Sequence, residues 1–248
     1  MRIPGLLLIF ISVLLPLYWY SALWTSYPNG ALLSQYIGSV ALITMAYSQL
    51  LATRANGLEF IFGPLDKIYV LHKWLGITAI IAILFHDTLD AEIDSLGRET
   101  WLVDIAETLG EFSLYGLLIL VAFSIATFIP YQLWRLSHKF VGALFAFSSF
   151  HFLFILKPQA LSDPLGLYVS AFCVLGLICY AITLLPFNRY SGLHRYQVAA
   201  IEATGGVANI TLSTQKDKLK HRAGQFCFIS IEQSLLSCLL YTSDAADE

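Results

Sequence analysis

Hydrophobic residues occur in six long runs that short polar segments separate. The runs fall at positions 5–24, 30–52, 69–89, 112–130, 136–156 and 165–187. Each run is close to the roughly 20 apolar residues that a helix needs to cross a bilayer. The pattern therefore predicts an all-α membrane protein in which a six-helix transmembrane bundle occupies most of the chain.

The pattern changes after Pro186, where apolar and polar residues alternate over short stretches. Positions 196–201 and 207–212 predict two strands, and Gly205-Gly206 between them is typical of a hairpin turn. Positions 225–231 predict a third strand. A helical membrane region is thus followed by the start of an all-β unit.

The composition is that of a membrane protein and argues against a nucleic-acid partner. The chain is 57% hydrophobic and 12% charged, against roughly 25% charged residues in globular domains. The formal charge of −3 and the lack of a basic tract argue for lipid as partner and against nucleic acid. The four cysteines, at positions 173, 179, 227 and 238, form no CxxC pair, so no disulfide framework or iron–sulfur site is predicted.

Lysine and arginine predict the orientation. Only Arg98 and Lys157 lie on one side of the six-span arrangement. Eight basic residues lie on the other side: Arg2, Arg54, Lys67, Lys73, Arg135, Lys139, Arg189 and Arg195. By the positive-inside rule both termini are cytoplasmic, and the third and fifth spans run parallel, from inside to outside.

Four histidines recur at matched depths in these two parallel spans. His72 and His86 are 14 residues apart in the third span, and His138 and His151 are 13 apart in the fifth. Such steps rise roughly 20 Å along a helix. Each level then offers one imidazole from each span, which is the bis-histidine axial ligation of a b-type haem, stacked twice. His72 and His138 form the predicted inner pair, and His86 and His151 the outer pair.

The surroundings of the histidines add two expectations. Gly76 and Gly142 each follow the first histidine of a span by four residues, so the missing side chain is expected to let a flat macrocycle approach the backbone. Thirteen residues leave His151 roughly 140° from His138 on an ideal helix. The fifth span must therefore be over- or underwound, bulged or kinked, with Ser148 and Ser149 as candidate positions, or the two rings must be rotated.

The doubled His-Lys-x-x-Gly…His pattern resembles the ferric reductase-like transmembrane domain of NADPH oxidases and ferric reductases, particularly bacterial ones. The segments 63–67 (GPLDK) and 131–135 (YQLWR) are similar to that family's run-ins to the ligand helices. The resemblance implies an NAD(P)H-dependent oxidoreductase of a bacterial inner membrane. Electrons would pass from NAD(P)H through FAD and two haems b to an external acceptor, either ferric iron or dioxygen.

Two parts of the C-terminal segment resemble different known sequences. Residues 222–226 (RAGQF) are similar to the early part of the flavin-binding barrel of ferredoxin-reductase-type proteins. Residues 238–248 resemble the translation of a sequencing adapter, so the gene sequence is expected to stop near Ser237. The predicted domains are a haem domain at 1–187, an incomplete flavin barrel at 188–237 and the adapter at 238–248.

Two other functions remain open at this stage. The chain could be a haem b subunit that exchanges electrons with a quinone or a partner protein, or a non-redox transporter in which the histidines relay protons. No side chain is assigned a catalytic role. His194 and His221, in the polar part, are expected at the surface.

Several other side chains keep two interpretations. Lys73 and Lys139 either contact haem propionates or anchor the helices at the cytoplasmic surface. The phenylalanines of the fifth span line haem pockets, contact lipid or pack in the core. The segment 87–111 is either a vestibule that attracts ferric iron or an ordinary solvated loop. A third alternative is a short helix at the membrane interface, marked by Trp101 and Leu102. Its acidic residues are Asp87, Asp90, Glu92, Asp94, Glu99, Asp104, Glu107 and Glu111.

Overall fold

A computed structural model describes most of the chain. It covers residues 1–55, 57–89, 93, 96–97, 100–125, 128–185 and 195–214, together with the backbone of two short strands at 226–228 and 240–242. The chain divides into two compact units, Met1–Leu185 and Pro186–Glu248.

The regular secondary structure in the described part of the first unit is helical. Its helices are α1 (Ile3–Ser21), α2 (Asn29–Ala52), α3 (Leu58–Phe62), α4 (Leu65–Thr88), α5 (Trp101–Ile125), α6 (Tyr131–His138), α7 (Val141–Phe154) and α8 (Pro164–Leu184). Among the described residues, α1, α2, α4, α5 and α8 are long and apolar enough to cross a membrane. The chain is an integral membrane protein, and five of the six predicted spans correspond to such helices.

The fifth predicted span is not one helix. It is divided into α6 and α7, and α7 has 14 residues, a length of about 21 Å. The division lies at Lys139 and Phe140, whose amides bond to the carbonyls of Leu136 and Ser137, three residues back. Such bonds turn the chain more tightly than an α-helix, so the helix is interrupted between His138 and His151.

The prediction of a bend at Ser148 and Ser149 is therefore wrong. Both serines lie inside the continuous helix α7. The Ser148 hydroxyl donates to the Leu144 carbonyl one turn back and lies 2.6 Å from the Ser113 hydroxyl of α5. These bonds attach α7 to α5 and leave its helix intact.

Helix α2 lies at the centre of the bundle. It packs on α1, α4 and α8 and is the most buried of the long helices. Its buried side chains include Ile43, Ala46 and Tyr47, which contribute to both apolar clusters of the core. Much of α1, in contrast, exposes leucine, isoleucine and phenylalanine, as expected for a helix that faces lipid.

Helix α5 begins earlier than its hydrophobic run. Trp101 is its first residue, so the expectation of a separate interfacial helix at Trp101 and Leu102 is wrong. Of the acidic residues in segment 87–111, Asp87 belongs to α4, and Asp104, Glu107 and Glu111 belong to α5. The other four lie outside the described residues, so the vestibule remains a prediction.

In the second unit, β1 (Gln197–Thr204) pairs antiparallel with β2 (Val207–Ser213). Gly205 and Gly206 join them with φ of 60° and 84°, a left-handed conformation that glycine adopts without strain. This hairpin was predicted. Strand β3 (Phe226–Phe228), within the third predicted strand, pairs with β4 (Leu240–Thr242). His194 and His221 lie outside the described residues.

Candidate functional site

The four histidines of the sequence pattern meet in two pairs. The ring centres of His72 and His138 are 6.1 Å apart, and those of His86 and His151 are 6.3 Å apart. The ring planes are inclined by 65° and 68°. Each pair joins one ring from α4 with one ring from α6 or α7, in the combination that the spacing predicts.

This separation fits an iron between the two rings. Two metal–imidazole bonds of about 2 Å, with roughly 1 Å from each nitrogen to its ring centre, place the centres about 6 Å apart. Helix α4 packs mainly on α2, and α7 packs mainly on α5. Over the described residues α4 and α7 have little backbone contact, so the rings reach across the space between them.

Helix α2 holds both histidines of α4. The Nδ1 of His72 is 3.1 Å from the Ser48 carbonyl oxygen and 2.9 Å from its hydroxyl. The Nδ1 of His86 is 2.9 Å from the corresponding two oxygens of Ser34. A carbonyl only accepts, so each Nδ1 carries the proton and donates it to α2.

Helix α5 has the corresponding role for the opposite histidines. The Nδ1 of His151 donates to the Ala106 carbonyl at 2.9 Å. The Nδ1 of His138 is 3.4 Å from the Ser124 hydroxyl. That hydroxyl donates to the Leu120 carbonyl at 2.9 Å, so its oxygen is left to accept the His138 proton. The Trp134 ring stacks on His138, with ring centres 5.2 Å apart.

These bonds give all four imidazoles the same tautomer. With Nδ1–H donated to a carbonyl or hydroxyl, Nε2 keeps its lone pair and is available as a ligand. Within the described part of the chain, no group of three or more histidine, cysteine, aspartate or glutamate side chains could hold a bare metal ion. A haem needs only two axial ligands from the protein, so the residues present fit haem.

Comparison with known families agrees with this geometry. Residues 37–149 match the family model described as ferric reductase like transmembrane component. Over these residues the chain is similar to ferric reductase-like transmembrane proteins. The match takes in His72, His86 and His138 and ends two residues before His151. None of the curated proteins matches the chain significantly.

The four histidines have partners that sequence reasoning missed. Ser34, Ser48 and Ser124 were not singled out, and Ala106 contributes only a carbonyl. One signal was present: Ser34 and Ser48 are 14 residues apart, as are His72 and His86. Two antiparallel helices with equal spacings can bond at both levels.

The two glycines predicted to border the macrocycle, Gly76 and Gly142, have different surroundings. A Cβ added to Gly76 would meet nothing within 4 Å, so space is open beside it. A Cβ added to Gly142 would overlap the Tyr180 ring of α8. The expectation for Gly142 is therefore wrong, because this glycine provides close packing of α7 on α8.

Other side chains with open interpretations differ in burial. Lys73 and Lys139 are exposed, and neither interpretation of them is decided. Phe145 is buried and packs against Gly176 of α8, so it belongs to the core. Cys173 and Cys179 are buried as free thiols, as their apolar surroundings predict.

Proposed function

We propose that the protein carries single electrons across a membrane through two haems b. The inner haem would be held by His72 and His138, and the outer haem by His86 and His151. One observation carries the proposal: two imidazole pairs have ring centres 6.1 and 6.3 Å apart, and the Nδ1 of every ring has a protein acceptor. The ferric reductase-like family supports electron transfer as the general activity.

In this mechanism the protein residues bind the haems and orient the imidazole rings. The Nε2 atoms would be the axial ligands, and bonds to α2 and α5 fix the rings. When bound, haem supplies the reversible one-electron chemistry. The apolar core around Leu144, Phe152 and Val169 excludes water and so favours the less charged state of a buried centre.

The source and destination of the electrons are part of the proposal. Cytoplasmic NAD(P)H would be the electron source and FAD the entry cofactor, beside the haem that His72 and His138 would hold. Ferric iron or dioxygen outside a bacterial inner membrane would be the acceptor, beside the haem that His86 and His151 would hold. The asymmetry of lysine and arginine supports this direction, and the β1–β2 hairpin after Arg195 is consistent with the beginning of a flavin barrel.

A proton relay through the histidines fits the hydrogen bonds less well. A relay needs a donor on one side of each imidazole and an acceptor that can pass the proton on. The Nδ1 protons of His72, His86 and His151 are instead donated to helix carbonyls. A backbone carbonyl cannot release a proton to a next group, so these bonds fix the rings.

An absorption spectrum of the purified full chain tests the proposal. Reduction with dithionite should give low-spin b-type bands equivalent to two haems per chain. A wild-type protein without these bands would refute a redox function and leave the proton relay as the remaining reading.

Two alanine variants test the pairing. His86→Ala should remove only the outer haem, and His72→Ala only the inner haem, so each variant is the control for the other. If His86→Ala retains two haems per chain, the proposed pairing is wrong.

A further inference from the structure

Two glycines lie directly against imidazoles of the His86–His151 pair. A Cβ added to Gly110 of α5 would lie 2.6 Å from His151 Nδ1 and 3.0 Å from its Cγ. A Cβ added to Gly38 of α2 would lie 3.3 Å from His86 Nδ1 and Cε1. These rings therefore occupy space that any other residue at either position would take.

Each glycine has the same relation to the carbonyl that its histidine uses. His86 bonds to the Ser34 carbonyl and contacts Gly38, and His151 bonds to the Ala106 carbonyl and contacts Gly110. In both cases the glycine follows the carbonyl residue by four positions. We call these two arrangements the Ser34–Gly38 seat and the Ala106–Gly110 seat.

Helix geometry explains how the glycine allows this close contact. The Cα–Cβ bond of a helical residue tilts toward the N-terminus, so the Cβ of residue i+4 lies beside the carbonyl of residue i. An imidazole that approaches this carbonyl from the side meets that Cβ. Glycine at i+4 removes the obstacle and lets the ring donate Nδ1–H while it lies flat against the helix.

We infer that Gly38 and Gly110 are positioning residues that fix the orientation and tautomer of the His86 and His151 imidazoles. This inference rests on the proposed function. The two seats face each other from α2 and α5, so together they determine where both Nε2 atoms lie. The His72–His138 pair differs: Ala52 stands four residues after Ser48, and His138 bonds a side-chain hydroxyl.

The two seats differ in how tightly they hold the ring. At 2.6 Å the added methyl of Gly110→Ala cannot fit, so the His151 ring must leave the Ala106 carbonyl. At 3.3 Å the added methyl of Gly38→Ala requires His86 to move by only a few tenths of an ångström. Because the contact at Gly110 is closer than that at Gly38, Gly110→Ala should have the larger effect of the two substitutions.

The two helices supply matched controls. Gly116 of α5 also contacts α7, where an added Cβ would lie 2.8 Å from a Leu144 methyl. Gly116→Ala therefore crowds the same helix pair without touching a histidine. Gly30 of α2 is exposed, with nothing within 4 Å of an added Cβ, so Gly30→Ala controls for the change in helix propensity.

The test uses the full chain in detergent and measures haem content, low-spin electron paramagnetic resonance and midpoint potentials. Gly110→Ala should weaken binding of the haem at the His86–His151 pair about tenfold or more, as loss of an outer-shell partner does. Gly38→Ala should retain that haem with changed g values and a more positive potential, because a weaker Nδ1–H bond makes the imidazole a poorer donor to ferric iron. Gly116→Ala and Gly30→Ala should match the wild type.

The haem at the His72–His138 pair is an internal reference for folding, since it should persist in all four variants. The inference is overturned if Gly110→Ala keeps both haems with unchanged potentials and g values, or if Gly116→Ala loses the same haem. Loss of both haems in Gly110→Ala, with an unaltered spectrum in Gly38→Ala, also overturns it. A wild type without haem refutes the proposed function itself, which separates the two failures.

Discussion

At the scale of the residue, the hydrogen bond at Nδ1 differs among the four histidines. His72 has two oxygens of Ser48 within 3.1 Å. Over the described residues, the partner found for His138 Nδ1 is the Ser124 hydroxyl at 3.4 Å, which is long for a hydrogen bond. Substitution of a serine by alanine removes its side-chain hydroxyl but leaves its backbone carbonyl in place.

Two serine variants should therefore differ. Ser48→Ala removes a hydroxyl but leaves the Ser48 carbonyl, so the His72–His138 haem should bind with little change. Ser124→Ala removes the acceptor of both His138 and the Trp134 indole N–H, so the potential of that haem should become more positive. Redox titration of both variants checks this, with the other haem as reference. Equal shifts in both variants would contradict it.

At the scale of the element, the division between α6 and α7 aligns the two levels of histidines. A continuous helix with a 13-residue spacing would turn His151 away from His138, and the interruption at Lys139 and Phe140 lets α7 take its own orientation. The chemical cause is visible in the sequence: α6 carries Arg135 and Lys139 follows it, so this part of the run is poorly suited to the lipid interior.

An inserted residue tests this role of the turn. One alanine added after Phe140 makes the histidine spacing 14, the spacing that suits a continuous helix, but here it should rotate α7 by about 100° against α5. The His86–His151 haem should be lost and the His72–His138 haem kept, as measured by haem content. An alanine added after Leu161, in the loop before α8, is the control. Retention of both haems would indicate a continuous helix.

The C-terminal end of α7 is capped by a lysine from the following loop. The Lys157 ammonium lies within hydrogen-bonding distance of the Phe152, Leu153 and Ile155 carbonyls and over the Phe152 ring. Burial lowers the pKa of Lys157 from 10.5 to about 8, because desolvation disfavours the charged form.

This lowered pKa predicts a pH-dependent stability. Between pH 8 and about 10.5 the unfolded chain binds the Lys157 proton and the folded chain does not, so stability should rise with pH across this window. Below pH 8 both states are protonated and this contribution to the slope disappears. Thermal unfolding in detergent should show the rise in the wild type, a smaller rise in Lys157→Met, and no reduction in the exposed control Lys67→Met. An equal slope in Lys157→Met would contradict the assignment.

At the scale of the whole molecule, two imidazole pairs lie one above the other within a membrane bundle. His72 and His86 are 14 residues apart on one helix, a rise of about 21 Å. This distance covers most of the roughly 30 Å hydrocarbon core. Two haems at these levels would divide the transfer of an electron across the membrane into shorter steps.

Vesicles test such a crossing directly. Full-length protein in liposomes that contain ferricyanide should oxidise dithionite added outside, because dithionite bypasses the flavin. Removal of either haem, by His86→Ala or His72→Ala, should slow the rate to that of protein-free vesicles. Bleaching of the trapped ferricyanide measures the rate. A His86→Ala protein as fast as the wild type would show that electrons do not use this route.

The sequence was sufficient for the helices and the pairing of the histidines, because both follow from local periodicity. Burying a histidine in an apolar run costs free energy unless the imidazole has a partner. The similar spacings of the histidines in the two spans predict which rings pair. The close packing of Gly142 on Tyr180 was not predictable in this way. It depends on a contact between helices that are remote in sequence, and a glycine in a helix does not reveal which neighbour requires it.

Helix α2 provides the hydrogen-bond acceptors for both histidines of α4, whereas α5 serves the other two through a carbonyl near its start and a hydroxyl near its end. A small shift of α2 along its axis would strain its hydrogen bonds to both α4 histidines, His72 and His86, at once. Substitutions that tilt α2 should therefore alter both optical signals together, and substitutions at one end of α5 should alter only one of them.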